Sequence, residues 1–204
     1  MKLTTYTGGF CETNGYLVET PNGNFIVDAP DGIAAWVAAR GVRVDDVLLT
    51  HQHFDHVLDA AALQATGARL HAMEDYALEF TLESLTRQWG MPVEVTPYQI
   101  DRKLVADAVS PFHLCGLQFL LYHIPGHAPD SVVLHLPDHE LAFSGDTLFA
   151  GSIGRTDLPG GSHQQLLDGI AQHLLTLPPQ TRLLPGHGPV TTVGEETDTN
   201  PYLA

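Results

Sequence analysis

The segment His51-Gln52-His53-Phe54-Asp55-His56 places three imidazoles and a carboxylate within six residues, one residue after the apolar run Val47-Leu48-Leu49. No other stretch restricts the fold as much. An apolar run of strand length belongs in a buried sheet, so the polar residues after it must emerge at the sheet's C-terminal edge. In an extended segment side chains repeat every two residues, so His51 and His53 point the same way and can grip one ion. Asp55 and His56 open the next helix and can turn toward a second. Histidine is the commonest metal-ligating side chain, and carboxylate oxygen completes hydrolytic sites. With 12 His and 15 Asp in 204 residues, HxHxDH arises by accident only about 0.003 times in such a chain. The bland reading, a solvated polar loop, must be set against that number.

Three further polar residues each end a predicted strand. His127 closes Ile124-Pro125-Gly126-His127, Asp146 closes Phe143-Ser144-Gly145-Asp146, and His187 closes Leu184-Pro185-Gly186-His187. The Pro-Gly before each histidine makes a tight exit that presents the ring at a sheet edge. Taken singly, these are turn histidines and a loop-capping aspartate. Together with HxHxDH they make five imidazoles and two carboxylates. One tetrahedral hydrolytic zinc uses three protein ligands plus water, so seven ligands suit two ions. Asp146 is the natural bridge, because a carboxylate has two oxygens. Two aspartates against two divalent ions leave charge for a bridging hydroxide, the expected nucleophile, with Asp55 orienting it.

Charge narrows the partners. Lys+Arg 9 against Asp+Glu 24 gives a net charge of −15, and only Lys2 and Lys103 are lysines. Such a body repels phosphate backbones and anionic leaflets, so a small-molecule substrate is expected, with no nucleic acid and no membrane partner. No apolar run approaches the roughly 18 residues of a membrane span. The N-terminus enters alternating residues without a signal core, and Cys11 and Cys115 are too few for a disulfide scaffold, so a cytoplasmic setting is expected.

One domain over 1–204 is expected, since no linker or repeat divides the chain. Residues 15–19 and 24–28 flank the turn Pro21-Asn22-Gly23 as a hairpin. Ile33 to Arg40 reads as a helix ended by Gly41, and 45–50 as a strand. Val57 to Thr66 reads as one helix stopped by Gly67, and Glu74 to Trp89 as another. Gly90 to Gly116, with Pro92, Pro97 and Pro111, shows no period. Residues 117–124, 131–136 and 140–143 read as strands, 162–175 as a helix capped by Ser162, and 181–184 as a buried strand. Strands in runs with helices before and after them indicate sheet on sheet covered by helices, not a doubly wound parallel sheet.

The order HxHxDH, PGH, GDT, PGHG resembles the metallo-β-lactamase superfamily. Ser144-Gly145-Asp146-Thr147-Leu148-Phe149-Ala150-Gly151-Ser152-Ile153-Gly154-Arg155-Thr156-Asp157 is similar to its glyoxalase II-like hydrolases, and the likeness extends to the ending Asn200-Pro201-Tyr202-Leu203. The resemblance implies an α/β (α+β) fold, an αββα sandwich of two mixed sheets covered by helices. It implies His51, His53 and His127 on a first metal, Asp55, His56 and His187 on a second, and Asp146 shared. The cofactors implied are two divalent ions, zinc first, with iron and manganese also suited to N/O ligands.

The implied activity is hydrolysis of thioesters such as hydroxyacyl-glutathione. Rival readings are a lactonase on the same ligands and a mononuclear-iron persulfide dioxygenase, whose relatives also carry a GRTD loop. A β-lactamase usually has cysteine or serine where Asp146 stands. Two residues depart from the family's PGHTPGS, namely Ala128 for Thr and Asp130 for Gly. About 17 residues follow His187, too few for the glutathione-binding helical domain of glyoxalase II proper. Asp28 reads as an orienting partner for a ligand imidazole or as a surface carboxylate. Arg155 reads as substrate-facing or as the ion-pair partner of Asp157. His71, His113, His123, His135, His139, His163 and His173 lack ligand spacing and read as structural or exposed.

Overall fold

The computed structural model describes residues 1–91, 93–106 and 111–203, so Pro92 lies outside the described residues, as do 107–110 of the aperiodic stretch. Two compact units are present, Met1–Leu104 and Val105–Ala204.

The first unit is a mixed sheet in the order β1-β2-β3-β4-β5-β6. Its strands are β1 Lys2–Gly8, β2 Thr13–Thr20, β3 Gly23–Val27, β4 Asp46–Leu48, β5 Arg69–Ala72 and β6 Arg102–Lys103. β1, β2 and β3 pair antiparallel, and the expected hairpin closes at Thr20↔Gly23. From β3 onward the pairing is parallel. Parallel neighbours need crossovers. Helix α1, Ile33–Ala39, supplies the first, and the short helices α2, Phe54–Val57, and α3, Ala60–Ala65, supply the second. Ile33 and Val37 of α1 and Val57, Ala60 and Leu63 of the second crossover share one core with Leu17, Ile26, Val47 and Leu70. Each fully buried Val, Leu or Ile among them contributes about 1.5–3 kcal/mol.

Two expected helices are broken, each by a tertiary hydrogen bond. The stretch after His53 divides at Leu58-Asp59 because the His56 carbonyl accepts the Ala29 N–H at 2.7 Å, and the Asp59 N–H goes to the Ala29 carbonyl at 3.0 Å. The Asp59 carboxylate then accepts the Ala34 N–H in the first turn of α1. The stretch from Glu74 to Trp89 becomes α4, Leu78–Thr81, and α5, Glu83–Gln88, with Leu82 in the left-handed region at φ 60°. Residues two apart on a continuous helix do not face each other. The bend lets the Thr81 hydroxyl donate to Glu83, whose other oxygen accepts the Val95 N–H.

The second unit is also mixed, in the order β14-β13-β10-β9-β8-β7. Its strands are β7 Phe112–Leu114, β8 Leu117–His123, β9 Val132–Leu136, β10 Leu141–Gly145, β13 Arg182–Pro185 and β14 Thr191–Thr192, with β11 Leu148–Phe149 and β12 Ser152–Ile153 forming a separate hairpin. β10 and β13 are parallel, and the other ladders are antiparallel. Helix α6, His163–Gly169, crosses between them and continues as a π-helical turn, Ile170–Leu174. Ser162 caps it, accepting the Gln165 N–H at 3.4 Å. Leu166, Ile170 and Leu174 pack with Val133, Ala142 and Leu183. Helix α7, Val193–Thr199, follows β14.

Two mixed sheets flanked by helices are thus the observed architecture, as expected. The elements that escaped the sequence include β1, β5 and α7 besides the two- and three-residue strands β6, β7, β11, β12 and β14. Among the described residues, no helix is long and apolar enough to cross a membrane.

His135 gives unit two a pH dependence. Its ring is buried against Tyr122, and desolvation holds its pKa below 6.5. The unfolded chain therefore takes up a proton that the folded chain refuses, and this contribution removes stability as pH falls through and below 6.5. Urea midpoints measured from about pH 7 to about pH 5 should fall more steeply for the wild type than for His135→Phe. Equal slopes would contradict the assignment.

Candidate functional site

In the first unit, strand direction assembles one group. β3 and β4 are parallel, so Asp28 and the segment 50–56 leave the same edge of the sheet, and β2 begins there with Thr13. Asp28 is 1% exposed and has φ 59°. Its Oδ1 accepts the Thr50 N–H at 2.8 Å, and its Oδ2 accepts the Thr50 hydroxyl at 2.8 Å and His56 Nδ1 at 2.9 Å. The expectation of an orienting carboxylate at Asp28 is met in this geometry.

Tautomers follow from these bonds. The Thr50 hydroxyl has one proton and donates it to Asp28, so toward His51 Nδ1, 3.1 Å away, it accepts. His51 and His56 therefore both carry hydrogen on Nδ1 and present the lone pair of Nε2. The His51 ring lies 4.6 Å from His53 and 4.1 Å from His56, centroid to centroid. Ligand atoms of His51 and His53 come within 4.8 Å of one another. Asp55 Oδ2 accepts the Thr13 hydroxyl at 2.7 Å and lies 3.5 Å from His56 Nε2. Thr13 is a contributor the sequence reading missed. It lies 42 residues from Asp55, and nothing local to it signals the contact.

In the second unit the C-terminal ends of β8, β10 and β13 share one edge, because β8 and β10 are each antiparallel to β9 and β13 is parallel to β10. His127, Asp146 and His187 leave from that edge. Asp146 Oδ2 lies 3.5 Å from His127 Nε2 and 3.3 Å from His187 Nε2. His127 donates Nδ1–H to the Arg155 carbonyl at 2.9 Å, so it too presents Nε2. Phe149 meets the His187 ring edge-on, with centroids 6.1 Å apart.

Glycine is required at two points here. At Gly126, φ +128°, a Cβ would come within 2.5 Å of the Leu166 nitrogen, and at Gly154 it would collide with the Asp146 carbonyl. The Pro-Gly exit and the Gly-rich loop are thus steric conditions for close approach. Imidazoles with Nδ1 fixed by a carboxylate, hydroxyl or carbonyl, and Nε2 presented, are the donor set a divalent cation takes. The residues therefore fit the metal ions their spacing implies.

The model of the metallo-beta-lactamase superfamily matches residues 8–187. The chain belongs to that superfamily. Hydroxyacylglutathione hydrolase GloC of Haemophilus influenzae is 36% identical over 161 residues, which is 77% of this chain and 74% of that protein. The crystal structure of the B3 metallo-beta-lactamase BLEG-1 is 31% identical, with a TM-score of 0.87 over 100% of both chains. That of TTHA1623 in a di-iron-bound form is 38% identical, with a TM-score of 0.85 over 98% of this chain and 100% of that one.

As a metallo-beta-lactamase superfamily member, the chain keeps the departures at Ala128 and Asp130 in the turn between His127 and β9, and both residues are buried. Several remaining histidines have structural partners. His71 donates to Asp46 at 2.7 Å, and His123 to the Pro129 carbonyl at 2.7 Å. Of the two readings of Arg155, the geometry shows the ion pair. Its Nε and terminal nitrogen donate to the two oxygens of Asp157 at 2.7 and 2.8 Å.

Those two bonds hold the Asp157 carboxyl down at about 2. A depressed carboxyl contributes stability above its ordinary pKa of 3.8 and loses it as pH falls toward about 2. Carboxyl carbon NMR should show Asp157 titrating near 2 in the wild type and near 3.8 in Arg155→Gln. An unchanged midpoint would separate the pair in solution.

Proposed function

We propose that the chain is a dinuclear metal-dependent hydrolase acting on thioesters such as hydroxyacyl-glutathione. In this reading the two ligand groups hold a common pair of divalent ions, with His51, His53 and His127 on one, Asp55, His56 and His187 on the other, and Asp146 shared. The observation that carries it is the common state of His51, His56 and His127, each with Nδ1–H donated and Nε2 turned out as a ligand. The relative named as a hydroxyacylglutathione hydrolase supports the substrate class. The di-iron-bound structure at 38% identity supports iron beside zinc as the metal.

Two such ions would supply a water acidic enough to ionise near neutral pH and Lewis-acid polarisation of the carbonyl. The protein's own part is orientation and proton handling. Asp55 has one oxygen held by Thr13, which aims the carboxylate to accept a proton from the attacking water. His51 and His56 are locked by Thr50 and Asp28, so neither imidazole needs to reorient during turnover. A thiolate leaves without a strong general acid, because its conjugate thiol has a pKa of only about 8.5. At a net charge of −15 the chain offers anionic substrates no long-range attraction, so affinity rests on groups beside the ligands.

The test is steady-state kinetics on thioesters, acyl-homoserine lactones and glutathione persulfide, with oxygen uptake and metal content read on the same sample. Thioester hydrolysis that disappears on chelation and returns with metal is the expected result. Oxygen uptake with persulfide, or lactone turnover without thioester turnover, would replace this reading with its rival. Asp28→Asn removes the charge that fixes His56, and should weaken metal binding about 10–100-fold in a chelator competition.

A further inference from the structure

The C-terminal motif Asn200-Pro201-Tyr202-Leu203 takes no part in the reaction above, yet it closes a polar network that reaches the ligand loops. Glu196, on α7, is 1% exposed. Its Oε2 accepts the Gly151 N–H and an Asn200 side-chain N–H, each at 2.8 Å, and its Oε1 accepts the Thr191 hydroxyl. Asn200 also donates to the Ser152 carbonyl at 3.1 Å, and its own oxygen accepts the Tyr202 N–H at 3.0 Å. Gly151 and Ser152 lie at the turn of the β11–β12 hairpin.

That hairpin and the residues just after it touch all three candidate ligands of the second unit. Phe149 lies edge-on to the His187 ring. Gly154 backs so closely on Asp146 that no Cβ fits. Arg155 offers the carbonyl that holds His127 Nδ1–H. A purely architectural role for Glu196 would be to dock α7, but Val193 already anchors that helix in the apolar core. A buried carboxylate is costly unless its oxygens are satisfied, and here one of them is aimed at the hairpin turn.

We propose that Glu196, with Asn200, is a positioning residue for the ligand group His127, Asp146 and His187, acting through the β11–β12 hairpin. The inference rests on the reading that this group binds metal. Glu196 sets the position of the hairpin turn, the turn sets the Arg155 carbonyl, and the carbonyl sets the His127 tautomer.

Zinc affinity of the full chain, by competition with a chromophoric chelator, tests this in Glu196→Ala, Glu196→Gln and Thr192→Ala, with melting temperatures measured alongside. Thr192→Ala removes the N-cap of α7, where the Thr192 hydroxyl accepts the Glu195 N–H at 3.2 Å, and so weakens the helix without altering the Glu196 network. Glu196→Ala should lose about tenfold or more in zinc affinity, in the range of lost orienting partners. Glu196→Gln keeps an oxygen for Gly151 and should lose less, while Thr192→Ala should stay within about twofold at a comparable melting temperature.

Nitrogen NMR of the metal-free protein, with imidazoles neutral, is the second measurement. Wild-type His127 should be a single Nδ1–H tautomer, and Glu196→Ala a mixture. Should Glu196→Ala not fold, Asn200→Ala carries the same expectation. Unchanged affinity and tautomer in the variant, or an equal loss of affinity in Thr192→Ala, overturns the inference. If the wild type takes up none of zinc, iron and manganese, the metal reading falls, and the His127 tautomer alone decides the role of Glu196.

Discussion

The buried Asp28 carboxylate organises the histidine segment of the first unit. It sits where β3 ends, in a left-handed backbone conformation that costs a non-glycine residue on the order of 1 kcal/mol or more. Three hydrogen bonds offset that cost, two from Thr50 and one from His56. They tie the ends of two parallel strands together and fix the hydrogen on His56, and on His51 through Thr50. Without Asp28 the His56 Nδ1–H would lose its acceptor, and the Thr50 hydroxyl that faces His51 would lose the acceptor of its own proton.

A different device serves the second unit. Its three candidate ligands leave one sheet edge, and the groups packed against them come from a tight hairpin and the residues just after it rather than from a carboxylate. Backbone groups do the orienting there, which is why glycine is needed at 126 and 154 and why a carbonyl faces His127. Backbone atoms keep their place only while the loop that bears them does. Glu196 and Asn200 extend that requirement to the C-terminal helix, some 45 residues from the hairpin turn in sequence.

Electrostatics sets the terms for the substrate. The net charge of −15 disfavours long-range capture of anions, and the exposed guanidinium of Arg155 is engaged by Asp157. Substrate discrimination therefore falls to short-range contacts around the ligand loops.

What the sequence determined alone was a set of metal-ligating residue types and its placement at strand ends. HxHxDH after an apolar run, and two Pro-Gly-His exits, are local patterns whose physics needs no partner. The strands β2, β3, β8, β9 and β10 and the helices at 33–39 and 163–169 were legible for the same reason, since period and turn residues are written within each segment, whereas the seven-residue β1 and α7 were not read. Tertiary structure decided the rest. The helix after His53 stops where the Ala29 backbone captures its carbonyl, and Leu82 bends the next helix so that Glu83 reaches Val95. Two-residue strands such as β6 and β14 exist only because a neighbouring strand supplies their hydrogen bonds. Thr13 beside Asp55 and Glu196 beside Gly151 are likewise contacts across more than 40 residues, and a hydrogen bond at that separation leaves no periodic trace in the chain.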